Sequence, residues 1–273
     1  IIKFKLFLPR TRNGSSEIIT ASLLQKMGYL APRTRLVKVE LNSIKSFMIF
    51  QEKASKELLE FNKLRESTII ESDESQIWKI RSLISTSHGR NIFPKVLNAK
   101  WLKNSFINRD ISLAGLNLYS KAIIESWNRS VDDEDVIYVS FSDLILSNGN
   151  ENVRKTLSKF KLHLMSMAAT NALRNNNRKF YYDPINKSLV PIYYDGNSKI
   201  LDYPILKPYE LSSITKFLNM RDINDNDIDD AIKEVEKLNI LDLENEFNKL
   251  GVNISLKEIE KIKLTMISNL NTL

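Results

Sequence analysis

The chain has 273 residues, 42% hydrophobic and 27% charged, enough apolar material to bury a core without a covalent staple. It contains no cysteine, which excludes disulfides and thiolate metal sites, and its two histidines, His88 and His163, are too few for a histidine-rich metal centre. A formal net charge of +7 leaves a polyanion such as nucleic acid open as a partner, but the basic residues are dispersed among acidic ones and suit a phosphorylated nucleotide equally well.

No run approaches the roughly 18 apolar residues of a membrane span, and no basic start followed by an apolar block marks a signal peptide. The sequence opens at Ile1, without Met, in the strand-like IIKFKLFL, and is read as a fragment or processed product. The first strand, Ile2 to Leu8, is stopped by Pro9. Ser15 or Ser16 can cap a helix from about Glu17 to Met27, with Ile18, Ala21, Leu24 and Met27 on one face and Gly28 closing it. Ala31-Pro32 breaks the chain, after which Leu36 to Leu41 and Ser46 to Gln51 read as strands turning at Asn42-Ser43. Ala54 to Arg65 is expected to be helical, and residues 67–110 to be short helices anchored by Trp78 and Trp101. Helices follow over Ser112 to Ser126, Phe141 to Leu146 and Val153 to Ala172, with the acidic run Asp132 to Asp135 as a solvated loop. The last part is helical again: Ser212 to Leu218, Asp227 to Leu238, Leu241 to Leu250, and Leu256 to about Asn269, capped by Ser255.

The stretch from His163 to Asn197 organises the rest. A helical run ends in the cluster Asn175, Asn176 and Asn177, which favours caps and turns. Two β-type segments, Lys179 to Tyr182 and Leu189 to Tyr194, are joined by a turn that opens on Asp183-Pro184, and Asp195-Gly196-Asn197 follows the second strand. Helix, Asn-rich loop, hairpin and Asp-Gly is the order in which protein kinases place their catalytic loop and metal-binding aspartate. A carboxylate there suits magnesium, because a hard cation wants oxygen ligands.

Leu8 to Asn42, followed by Phe47 to Glu60, resembles the spore coat protein H (CotH) family of atypical protein kinases, as do the loop Asn175 to Arg178, Tyr181-Tyr182 and Tyr194-Asp195. The resemblance covers about a quarter of the chain. It implies an α+β, two-lobed protein-kinase-like fold: a sheet-containing lobe over residues 1–110, and a mostly helical lobe over 111–273 carrying the hairpin at 171–197. It further implies ATP with Mg²⁺ or Mn²⁺ as cofactors and phosphoryl transfer to a protein or glycan hydroxyl. Asp195, with Asn176 or Asn177, would hold the metal. Lys5, or in the reverse orientation of the strand Lys3, would contact the nucleotide phosphates with Arg10 and Arg12, Glu52 would orient the phosphate-binding lysine, and Arg174 and Arg178 would neutralise the phosphate in transfer. The sequence departs from the kinase pattern at Asn171, which stands five residues before Asn176 where a catalytic aspartate belongs. An amide cannot accept the substrate's proton as a carboxylate can. A pseudokinase scaffold therefore stands beside the kinase, and a basic nucleic-acid-binding module is a third expectation, to be told apart by a steep salt dependence.

Overall fold

The computed structural model describes residues 3–73, 93–132, 141–174, 177–202, 206 and 222–273. The expected anchor Trp78, the expected helix over Ser212 to Leu218 and the acidic run beyond Asp132 lie outside the described residues. The fold is α+β, with two small antiparallel sheets and several helices. No described helix is long and apolar enough to cross a membrane.

The first sheet has the order β1-β3-β2, from β1 (Phe4–Phe7), β2 (Thr34–Leu41) and β3 (Ile44–Glu52). As expected, β2 and β3 turn at Asn42-Ser43, both of which have positive φ. Between β1 and β2 runs α1 (Ser15–Lys26), which starts at Gly14 rather than at a serine cap. It was expected to be apolar on one face, yet Ile18, Ile19, Leu23 and Leu24 on different faces are all buried, together with Glu17, Thr20 and Ser22. Each of the four aliphatic side chains contributes roughly 1.5–3 kcal/mol by leaving water, so α1 is a central strut of the larger core. That core continues into α6 (Glu151–Ser166), α7 (Asp225–Glu236), α8 (Ile240–Lys249) and α9 (Leu256–Thr272). Asn224 and Ser255 close capping boxes at the starts of α7 and α9.

The second sheet corrects the expectation of short helices over residues 67–110. There β4 (Ile69–Asp73) and β5 (Phe93–Val96) join the hairpin strands β6 (Lys179–Asp183) and β7 (Ser188–Ile192) in the order β5-β4-β6-β7. This sheet thus draws its strands from both sides of residue 110. Side chains alternate as a pleat requires: Ile70, Phe180 and Tyr182 enter one core, Ile69 and Tyr181 the other. The helix α4 (Phe106–Asp132), longer than expected at both ends, lies on the first of these faces. Its Gly115 allows the close approach, since a Cβ there would stand 3.0 Å from both Ile70 and Tyr182. A short α3 (Ala99–Leu102) precedes it and a short α5 (Asp143–Leu146) follows.

Two further helices end earlier than the apolar pattern suggests. The segment α2 runs only over Lys56–Phe61, because the Asn62 side chain donates to the Leu58 carbonyl and Lys63 turns left-handed. The expected helix to Ala172 stops at Ser166, with Ala168 left-handed and a 3-10 turn over Thr170–Leu173. Its last carbonyls are capped from far away: Asn269 donates to Ser166 O at 2.9 Å and Ser198 to Met167 O at 2.8 Å. Such tertiary caps leave no local signal.

Candidate functional site

The site lies where the chain leaves the second sheet. The strand β7 ends at Ile192, not at Tyr194, because the Tyr193 N–H turns to the Leu30 carbonyl at 2.8 Å, beyond a parallel bridge between Leu30 and Ile192. Tyr193, Tyr194 and Asp195 thus leave the strand: Tyr193 reaches Glu17 of α1, and Tyr194 lies against Lys5 of the first sheet and Lys179 of β6. Asp195 has φ 49°, in the left-handed region that Asp and Asn tolerate better than most residues.

Tyr193 fixes this turn from inside. Its hydroxyl donates to Glu17 Oε2 at 2.8 Å, and Gln51 on β3 donates to Glu17 Oε1 at 3.2 Å. Burial pushes the Glu17 carboxyl up, against the hydrogen bond from Tyr193 and the charge of Arg12. Burial and the neighbouring carboxylate push the Tyr193 phenol well above its ordinary value. Gly196 packs on the same ring: a Cβ there would lie 2.5 Å from the Tyr193 hydroxyl and 3.0 Å from the Ala169 Cβ. Glycine at 196 is therefore a requirement of space.

Tyr194 points the other way, into a cluster of cations. Lys5 on β1 donates to its hydroxyl at 3.0 Å, Lys179 lies 4.2 Å from the ring centroid, and the Arg12 guanidinium lies 5.8 Å from it. Burial raises the phenol, but the hydrogen bond and charge of Lys5, with the charges of Lys179 and Arg12, outweigh it and leave Tyr194 lowered. Lys179 is also paired with Glu71 of β4. Arg12 forms an ion pair with Asp195, and both side chains retain little exposure.

Asn171 and Asn177 complete the arrangement. Asn171 Nδ2 donates to the Asp195 carbonyl at 2.8 Å, and Asn177 Nδ2 to the Asn171 carbonyl at 3.0 Å. With both amide nitrogens engaged, both side-chain oxygens remain to accept a donor or ligate a cation. A carboxylate is the donor type a magnesium or manganese ion takes, and the Asp195 carboxylate is paired with Arg12. Among the described residues no three His, Cys, Asp or Glu gather into a group that could hold a metal unaided.

Of the residues singled out from sequence, Lys5, Arg12, Asn171, Asn177 and Asp195 are brought together. Asn176 lies outside the described residues. Arg10 is exposed in the 3-10 turn Pro9–Thr11, and Arg174 is exposed beside the asparagine loop. Two expectations are corrected. Glu52 orients no lysine: its buried carboxylate is held in a fork by Arg33, with Nε to Oε2 at 2.9 Å and Nη2 to Oε1 at 2.6 Å. Arg178 faces no phosphate in solvent: it is buried against Phe141 and Phe180, its guanidinium pulled down by burial. Glu17, Tyr193, Tyr194 and Lys179 were not picked out as site residues. The one sequence signal for Glu17 is an acidic residue in the first turn of an otherwise apolar helix. Comparison with models of protein families gave no match, and comparison with curated proteins gave none either.

Proposed function

We propose that this chain is a kinase-like protein of the CotH type, which binds ATP with Mg²⁺ or Mn²⁺ and transfers a phosphoryl group to a protein or glycan hydroxyl. The observation that carries this reading is that the turn at Asp195-Gly196 is engaged from both sides by the first strand and the helix after it: Lys5 reaches Tyr194, Glu17 reaches Tyr193, and Arg12 pairs with Asp195. Protein kinases likewise use a sheet lysine, a glutamate of the following helix and a metal-binding aspartate behind a hairpin, although there the lysine and glutamate pair, whereas Glu17 here accepts from Tyr193 and Gln51. Asp195, with the oxygens of Asn171 and Asn177, would hold the metal, whose charge offsets that of the phosphates. Lys5 and Lys179 supply positive charge beside it, and the polar loop positions the acceptor. Positioning and charge neutralisation are most of what phosphoryl transfer needs.

A pseudokinase that binds nucleotide without turnover is the second reading, favoured by Asn171, whose amide is spent on the Asp195 carbonyl. The deciding experiment compares thermal stabilisation by ATP with magnesium, and transfer of labelled γ-phosphate, in the wild type, Asp195→Asn and Asp195→Ala. A ligand that binds only the native state raises its stability by mass action. Asp195→Asn keeps a residue suited to positive φ but loses the charge, and should abolish metal-dependent stabilisation. Stabilisation without transfer selects the pseudokinase. Equal melting temperatures with and without nucleotide in the wild type defeat both readings.

A further inference from the structure

We propose that the outer face of the first sheet is a platform for single-stranded nucleic acid, on which exposed aromatic rings and arginine planes stack the bases. This goes beyond the kinase-like reading and uses no residue of the Asp195 turn. The strand registers place Phe4 and Leu6 of β1, Phe50 and Met48 of β3, and Arg35 and Val37 of β2 on one face, since Leu6 and Arg35 both lie opposite Phe50. The alternate residues Thr34, Ile49 and Gln51 are buried, and Gln51 reaches Glu17 of α1, so theirs is the inner face. None of the six outward side chains enters a described core, and Phe4 keeps 49% of its exposure.

Rings and guanidinium planes alternate across this face. Arg33 lies 4.9 Å from the centroid of the exposed Phe61 ring and is fixed by its fork to Glu52, the residue opposite Phe4. The Phe4 and Phe50 centroids are 5.0 Å apart, and Arg35 lies 5.4 Å from that of Phe50. Unpaired bases stack on either kind of plane. The charge agrees with such a partner. Although basic and acidic residues are interleaved along the chain, the excess itself comes from residues 1–53, which carry ten Lys or Arg against three Asp or Glu, while the rest carries thirty of each. Of those three carboxylates Glu17 is buried and Glu52 is buried in its fork, which leaves Glu40, paired with Lys45, as the one exposed. Exposed Lys3 and Lys53 stand together at one end of the sheet and Lys38 and Lys45 at the other, where they can meet phosphates of a strand laid along it. An acidic protein would answer this charge but not the stacking planes, and a duplex hides the faces of its bases.

Fluorescence anisotropy on the whole chain, without ATP or metal, tests this with labelled single strands of DNA and RNA about 20 nucleotides long, the matched duplexes and polyglutamate. At least one single strand should bind tenfold or more tightly than its duplex and than polyglutamate, with an affinity that falls as salt rises. Phe4→Ala should weaken binding at least fivefold with the salt dependence unchanged, and Phe4→Tyr should bind as the wild type does. Arg35→Lys keeps the charge but loses the plane and should also weaken binding, whereas Lys257→Gln on α9 should not. Single strands held no more tightly than duplex overturn the inference whether or not the variants fold. So does polyglutamate bound as tightly as the strands, which would mark the face as a dock for an acidic protein. A folded Phe4→Ala that binds as the wild type does, or a loss in Lys257→Gln as large as in Arg35→Lys, reduces the binding to diffuse charge and overturns it as well.

Discussion

Replacing Tyr193 with Phe tests the buried linkage that holds the Asp195 turn against α1. The substitution keeps the ring and deletes the hydrogen bond from a fully buried phenol to a fully buried carboxyl, at 2.8 Å, together with the one the phenol oxygen accepts from the Gly196 N–H. A hydrogen bond to a charged group is worth about 1.5–3 kcal/mol, against about 1 kcal/mol when the acceptor is neutral. For a chain of this size each kcal/mol moves the melting temperature by about 2–4 °C, so a fall of about 3–12 °C is expected near neutral pH. The pH dependence is more diagnostic than the size. Burial raises the folded carboxyl of Glu17 above its ordinary 4.5, so the folded state binds more protons than the unfolded state above that value. Its contribution is complete below pH 4.5 and is lost as pH rises through the raised value. The Tyr193 hydroxyl opposes that loss by favouring the ionised form. Tyr193→Phe should therefore cost more at pH 8 than at pH 5 in guanidinium unfolding, and the difference should vanish when Glu17→Gln is also present. A cost below about 0.5 kcal/mol at pH 8, within the range of inert surface changes, would refute the linkage.

Arg33→Met should destabilise by about 2–4 kcal/mol in urea unfolding, because the forked Glu52 carboxylate keeps no exposure of its own and would be left uncompensated; Glu52→Gln in addition should recover part of it. Lys161→Met should cost about 3–5 kcal/mol, since Lys161 and Asp143 form a fully buried pair at 2.6 Å, and adding Asp143→Asn should restore much of the loss. Lowering the pH from 7.5 to 5.5 should destabilise the wild type more than His163→Gln. Burial depresses the folded His163 below its ordinary 6.5, so between that value and the depressed one the unfolded state binds the extra proton and stability falls with pH. Glu234, which accepts from His163, Tyr29 and Lys159, is desolvated yet held down to about 2 by these partners, so its contribution fades only in stronger acid.

Elements with local signals were legible in the sequence. The turn at Asn42-Ser43, the hairpin opened by Asp183-Pro184, the Ser255 cap and the helices after Asn224 all carry their own turn or capping chemistry within a few residues. Apart from the end of α2, which the nearby Asn62 sets, what failed depended on distant partners. The short β4 is a strand because β6 pairs with it: Ile70 lies opposite Phe180 and Ile69 opposite Tyr181, more than a hundred residues along the chain. The end of α6 is set by Asn269 and Ser198, neither of which can be connected with Ser166 or Met167 by reading along the sequence.

The site divides along the same line. Asp195-Gly196 stood out because an acidic residue and a glycine after a hairpin form a local motif, and Gly196 proves necessary for a reason of space. The resemblance points to Glu52 as the acidic partner, whereas the structure commits Glu52 to Arg33, although it stands next to Gln51, the residue opposite Lys5 in the sheet. An acidic residue in a first helical turn, as Glu17 is, is ordinarily explained by the helix dipole. Burial separates the two cases. A carboxyl that only answers the dipole sits in water, whereas Glu17 is fully buried and accepts hydrogen bonds from two other elements, so its cost of desolvation is borne by the same contacts that seat Tyr193 and, through it, the Asp195 turn.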